Sequence, residues 1–194
     1  MKIYDITQEL FTGRVFPGDP APTYERVLKI AKGDPVNLTN VIMGAHNATH
    51  LDAPYHFYDN GKTVEQLDLS RCIGECTVVE LSEDITLEEL SKILDHCQKR
   101  ILIKGEAIVT LERAKLFNQY GILLIGVQGQ SIGPVDGPMP VHYELLAKEV
   151  VLLEGLVLDE IEPKDYFLSA APIKLGGSDG APCRATLLDF SKQN

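Results

Sequence analysis

Residues 46–57 read HNATHLDAPYHF and set three of the chain's five histidines beside an aspartate. His46, His50, Asp52 and His56 offer imidazole and carboxylate groups, donors that suit zinc or manganese. All four sit at even positions, so on a strand they would share one face. A flat strand does not bring them together. At ~3.3 Å per residue His46 and His50 would lie about 13 Å apart, too far for bonds of ~2.0–2.2 Å to one ion. The chain must therefore kink between them, near Asn47–Ala48. A helix would solve the spacing through i and i+4. However, Pro54 holds Ala53 extended, and no apolar helical stripe flanks the segment. The segment reads as a strand end running into a turn. A single histidine would read as a surface or capping residue; an HxxxHxD set is less easily dismissed. His56 reads as a further ligand or as a proton-transfer group, since imidazole titrates near neutral pH.

A structural metal site closes on four protein ligands, whereas a catalytic site keeps a position open. Three local ligands direct attention further along the chain, to His142 in PMPVHYELLAK and Glu154 in VVLLEGLVL. Glu154 is a carboxylate inside an apolar run, where an unpaired charge is costly. Its plainer reading is a salt bridge or an exposed strand end, and that of His142 is the surface of a helix N-terminus. His96 falls in the polar part of a helical pattern and reads as structural.

The elements that must position these residues follow from periodicity. MKIYDIT alternates and predicts a first strand; FTGRVFPGDPAPTYE carries four prolines and glycines at 17–22 and predicts an extended loop. YERVLKIA, NLTNVIMG and CTVVELS predict strands. TLEELSKILDHCQ predicts a helix with Leu87, Leu90, Ile93 and Leu94 on one face and a capping box of Thr86 and Glu89 at its start. RILIKG is a strand, TLERAKLFNQYG a helix closed by Gly121, and HYELLAKE a short helix. ILLIGVQ and VVLLEGLVL lack alternation and predict strands covered on both faces. YFLSAAPIKL and ATLLDF complete the strands. The class is α/β with mixed sheets, in one domain spanning residues 1–194.

The net charge of −10 argues against nucleic acid and against a polybasic membrane contact. No apolar run approaches the ~18 residues of a membrane span, and MKIYDITQEL has no apolar signal core. Cys72, Cys76, Cys97 and Cys183 form no CxxC pair and read as neutral thiols of a reducing cytoplasm. Cys183, beside a glycine-rich loop, reads as a packed small residue rather than a participant in chemistry.

The motif His46-Asn47-Ala48-Thr49-His50-Leu51-Asp52-Ala53-Pro54-Tyr55-His56-Phe57 resembles HxGTHxDxPxHF, the pattern of the cyclase family of metal-dependent hydrolases. That family includes bacterial kynurenine formamidases and isatin hydrolases. FPGDP resembles its N-terminal WPGD segment, HYELLAKEVVLLEGL its HxxLL…E segment, and IKLGGSDGAPCRATLL its glycine-rich C-terminal signature. The resemblance implies a swivelling β/β/α domain and a homo-oligomer, a dimer or a dimer-based tetramer. It implies that His46, His50 and Asp52 hold a first metal. Asp52 would bridge to a second metal held by His142 and Glu154, with Glu154 also reaching the first and His56 acting as general acid/base. It implies Zn2+, as one or two ions, with Mn2+ as in isatin hydrolases.

The activity so implied is hydrolysis of a small amide, such as an aryl formamide like N-formylkynurenine. Ring opening of a cyclic amide or lactone, and a non-catalytic metal-binding domain, stand as alternatives. Three positions depart from the pattern. Ala48 replaces Gly, so the kink must suit a Cβ or be strained. Gln128 stands where relatives often carry Asp, which would remove a carboxylate from behind the ligands. Phe16 replaces a Trp that stacks on substrate and keeps a flat apolar face for a pocket shared with Tyr55 or Phe57.

Overall fold

The described residues, 1–105 and 107–191 of a computed structural model, form a nine-stranded mixed sheet, a separate hairpin and three α-helices. In spatial order the sheet runs β1 (Lys2–Asp5), β11 (Thr186–Asp189), β9 (Asp165–Ser169), β5 (Ile73–Glu80), β6 (Arg100–Lys104), β7 (Leu124–Val127), β8 (Val151–Glu154), β4 (His50–Asp52) and β10 (Gly180–Pro182). β5 to β8 are parallel, as crossover helices require: α1 (Leu87–Leu94), α2 (Leu111–Gln119) and α3 (Met139–Leu146) join them in turn. The other pairings are antiparallel. β2 (Thr23–Leu28) and β3 (Leu38–Ile42) make the hairpin.

The sheet has to curl. β10 and β11 lie seven strand positions apart in the sheet order, or about 34 Å if flat at ~4.8 Å per strand. Residues 183–185 alone connect them, a link that reaches at most about 14 Å. The curl is sealed by bonds between distant strands: Ile6 N–H donates to Ala185 C=O and Val157 N–H to Ile6 C=O, both at 3.0 Å, and Cys183 N–H donates to Thr49 C=O at 3.1 Å.

Strand residues alternate between two cores. Leu51, Leu102, Leu124, Val151 and Leu153 turn into the curl. Ile101, Ile103, Ile125 and Leu152 face the helices, where Leu90, Phe117 and Leu145 cover them. ILLIGVQ and VVLLEGLVL lack alternation because both of their faces are buried.

The helix ends follow local chemistry. The Glu89 carboxylate accepts Thr86 N–H at 3.0 Å, and Thr86 Oγ1 accepts Glu89 N–H at 3.2 Å. α1 stops at Leu94, short of the expected Gln98, because the chain tightens into i→i+3 bonds from His96 N–H to Ile93 C=O and Cys97 N–H to Leu94 C=O. α2 ends on Gly121 at φ 64°, with Ile122 N–H returning to Phe117 C=O. The expected strand YFLSAAPIKL is limited to Asp165–Ser169, and β10 was not expected. Among the described residues no helix is long and apolar enough to cross a membrane.

Candidate metal centre

The register of β4 against β8 assembles the site. His50 lies opposite Glu154, Leu51 opposite Leu153 and Asp52 opposite Leu152. Side chains alternate along a strand. Leu51 and Leu153 therefore turn into the curl, while His50, Asp52 and Glu154 share the helix-facing side with Leu152. On that side α3 contributes His142, buried like the others. His50 Nε2 is 3.4 Å from Asp52 Oδ1 and 3.4 Å from Glu154 Oε2. His142 Nε2 is 3.6 Å from Asp52 Oδ2 and 3.4 Å from Glu154 Oε1. Each carboxylate thus presents one oxygen to each imidazole. Both rings are anchored from behind: His50 Nδ1–H donates to Ala48 C=O at 3.0 Å and His142 Nδ1–H to Pro138 C=O at 2.8 Å. Those bonds leave Nε2 of each ring facing the carboxylates.

His46 reaches the cluster from a turn, not from a strand. The kink falls at Ala48, whose φ of 55° is left-handed, a conformation that costs a non-glycine residue roughly 1–2 kcal/mol. Neighbouring bonds hold it there. Thr49 Oγ1 donates to Gly155 C=O at 2.6 Å and accepts Gln8 N–H at 2.8 Å. Asn47 Oδ1 accepts Gly44 N–H at 2.7 Å. Gly155 is itself needed, since a Cβ there would lie 2.5 Å from Ala48 O. The kink sets His46 Nδ1 2.8 Å from Asp52 Oδ1. His46 Nε2 lies 2.8 Å from Asp179 Oδ2, and His56, on a 3₁₀ turn of Pro54–His56, places Nδ1 3.2 Å from the same oxygen.

The charges compensate one another. Burial lowers the pKa of His46 and His50, but hydrogen bonds and charge from Asp52, joined by Asp179 at His46 and Glu154 at His50, outweigh it and raise them to about 9 and about 10. His142 is raised in the same way, its burial offset mainly by Glu154. Burial pushes Asp52 upward, yet His46 and His50 hold it well below the usual carboxylate range. Ile132 N–H donates to Glu154 Oε1 at 2.7 Å.

A cavity of about 390 Å³ opens over the cluster, walled by Phe16, Phe57, Gln130, Ser131 and Pro138. Phe57 stacks on His142 with ring centroids 4.7 Å apart, whereas Tyr55 is outside the lining and exposed. Gln130 Nε2 and Ser131 Oγ are buried there without a hydrogen-bond partner. Gln128 lies outside this cavity. It accepts Gly105 N–H at 2.9 Å and donates to Asp159 at 3.0 Å, so its side chain bonds away from these ligands. Cys183 is also outside the lining, with its thiol pushed up to about 12 by burial. His96 is exposed.

Sequence reasoning missed Asp179, and with it Gln130 and Ser131 of the cavity wall. The one signal for Asp179 was its place in the glycine-rich segment LGGSDG. The next residue, Gly180, pairs with Asp52, and a Cβ on it would lie 2.5 Å from His46 Cε1.

The chain belongs to the cyclase family: the family model described as "Putative cyclase" matches residues 4–124. It is 37% identical over 188 residues to a kynurenine formamidase of Geobacillus thermodenitrificans, covering 89% of this chain and 90% of that protein. It is 33% identical over 202 residues to a kynurenine formamidase of Bacillus anthracis, with 96% and 97% covered. A solved potential metal-dependent hydrolase with cyclase activity superposes with a TM-score of 0.81 at 26% identity, over 98% of this chain and 99% of that one. An isatin hydrolase bound to the product analogue thioisatinate shares the fold, with a TM-score of 0.82 at 20% identity over 97% and 92%.

Two outcomes follow from this geometry. Gly180→Ala drives His46 from its place and lowers stability by about 1–3 kcal/mol, read by urea denaturation; an unchanged midpoint contradicts the close approach. In chelator, the His46 and His50 contribution to stability is full below their ordinary value of 6.5 and is lost as pH rises through about 9 and about 10. The Asp52 contribution is present above 3.8 and is lost as pH falls through its lowered folded value. These groups therefore make the thermal midpoint fall between pH 6.5 and 10; a rise over that interval contradicts the charge arrangement.

Proposed function

We propose that this chain is a metal-dependent hydrolase of small amides, with an aryl formamide such as N-formylkynurenine as substrate. The observation that carries the reading is the buried set of two carboxylates facing two imidazoles anchored through Nδ1, with His56 beside it. The donor set fits a divalent cation, since oxygen and imidazole nitrogen donors converge and the rings are already oriented. His46, His50 and Asp52 would hold one Zn2+, and Asp52, His142 and Glu154 a second; Mn2+ suits the same donors. Such an ion supplies Lewis acidity and a water of lowered pKa. Relatives 33–37% identical over most of the chain, named kynurenine formamidases, support the substrate class.

The chain's own residues do the rest. Phe16 and Phe57 offer flat apolar walls for an aryl group. Gln130 Nε2 and Ser131 Oγ are free to bond polar atoms of the substrate. With Nδ1 of His56 engaged by Asp179, Nε2 is the nitrogen left to move a proton. Water adds to the formyl carbon as His56 Nε2 takes its proton. The C–N bond then breaks as that proton passes to the leaving nitrogen, giving the aryl amine and formic acid, which releases its own proton to water as formate.

We also infer a homo-oligomer built on a dimer, supported by the exposed Tyr24, Val41 and Ile42 of the β2–β3 hairpin, apolar surface that a second copy would cover. A cytoplasmic location is supported by four free cysteines.

Loaded with zinc or manganese, the protein should hydrolyse an aryl formamide faster than the lactams and lactones of a test panel. His56→Ala should lower kcat by about 10²–10⁴ with metal content unchanged. Equal rates remove His56 from the mechanism. Preference for a lactam or lactone reassigns the substrate, and the absence of both bound metal and activity makes this a non-catalytic domain.

A further inference from the structure

Asp179 ties together two histidines that come from different turns. Its Oδ2 lies 2.8 Å from His46 Nε2 and 3.2 Å from His56 Nδ1, and the two rings stack with centroids 4.0 Å apart at 32°. The backbone holds this carboxylate in place. Asp179 C=O accepts Ala53 N–H at 2.9 Å, and Ser178 C=O accepts Val64 N–H at 2.9 Å. Gly180 follows in register with Asp52 on β4. Asp179 and Gly180 are therefore tied to residues 52 and 53, within the segment that carries His50, Asp52 and His56, and Ser178 to Val64 beyond it.

An imidazole's tautomer is set by what its other nitrogen meets. An ionised carboxylate only accepts hydrogen bonds, and one oxygen of Asp179 lies within hydrogen-bond distance of a ring nitrogen of both His46 and His56. Both nitrogens facing Asp179 must then carry hydrogen. In a neutral imidazole only one nitrogen carries hydrogen, so Nδ1–H toward Asp179 leaves Nε2 of His56 as the proton acceptor. His46 is left with Nδ1 toward Asp52, the arrangement in which a carboxylate behind a ligand histidine orients the ring.

We propose that Asp179 is the positioning residue of this site, fixing the Nδ1–H tautomer of His56 and the ring orientation of His46 through one oxygen. The kinetic consequence rests on the hydrolase reading above; the tautomer assignment rests on geometry alone. Asp179 touches no reacting atom in this scheme. It acts through His56 on proton transfer and through His46 on metal affinity. An asparagine keeps an acceptor oxygen in the same place, whereas an alanine does not.

The test uses zinc-loaded wild type, Asp179→Ala, Asp179→Asn, His56→Ala and the Asp179→Ala/His56→Ala double variant. Nitrogen-15 spectra of the imidazoles should show Nδ1–H at His56 in wild type and Asp179→Asn, and a shift toward Nε2–H in Asp179→Ala. Competition titration should show zinc affinity about 10–100-fold weaker in Asp179→Ala, with Asp179→Asn close to wild type. At saturating zinc, Asp179→Ala should lower kcat on the order of 10²-fold, with KM changed less than about threefold. In the His56→Ala background the same change should have almost no further effect on kcat. An Nε2–H tautomer in wild type, an unmoved tautomer in Asp179→Ala, or equal losses of kcat in both backgrounds overturns the proposal. If wild type hydrolyses no formamide, lactam or lactone, the hydrolase reading fails on its own, and the tautomer and zinc titration still decide the role of Asp179.

Discussion

Asp52 and Glu154 sit on adjacent strands with their carboxylates turned into the same space, and they are only 1% and 3% exposed. Two buried like charges cost several kcal/mol each unless cations and hydrogen bonds answer them. The surroundings answer them: His50 and His142 face both carboxylates, His46 bonds Asp52, and a backbone N–H bonds Glu154. The arrangement depends on strand register. A slip of one residue would turn Leu51 toward the helices and send His50 and Asp52 into the apolar curl. The packing of Leu51 and Leu153 that excludes this slip therefore also fixes the site.

The curl of the sheet completes the centre. The three-residue link from β10 to β11 brings the glycine-rich segment against β4, and with it Asp179 and Gly180. Gly180 leaves room for the His46 ring, and the left-handed Ala48 turns that ring toward Asp52. The strain at Ala48 is local and is held by the bonds of Asn47 and Thr49. Backbone closure and side-chain chemistry thus meet in one short segment, residues 46–52.

Much of this was legible in residue spacing. The distance between His46 and His50 on a flat strand required a kink, and it lies at Ala48, within the dipeptide expected. The shared parity of His50 and Asp52 put them on one face, as found, but His46 and His56 lie on turns, where parity has no meaning. The unalternating strands and the capping box at Thr86 were readable because their signals are local. The convergence of His142 and Glu154 on the motif was legible only through the family resemblance, because spacing says nothing of how β4 pairs with β8. β10 is a Gly-Ala-Pro strand without a β-branched residue, so propensity gives no sign of it. Asp179 was hidden for the same reason: its role exists only once the sheet closes.

The compensated carboxylate pair, read as a cation site, can be checked crystallographically. Anomalous diffraction from crystals grown with zinc, collected on either side of its absorption edge, tests it most directly. Peaks are expected beside His46, His50 and Asp52 and beside Asp52, His142 and Glu154, the two sharing Asp52. Crystals with zinc bound elsewhere, or with no anomalous peak in this cavity while His50 and His142 keep their contacts to the carboxylates, would contradict it.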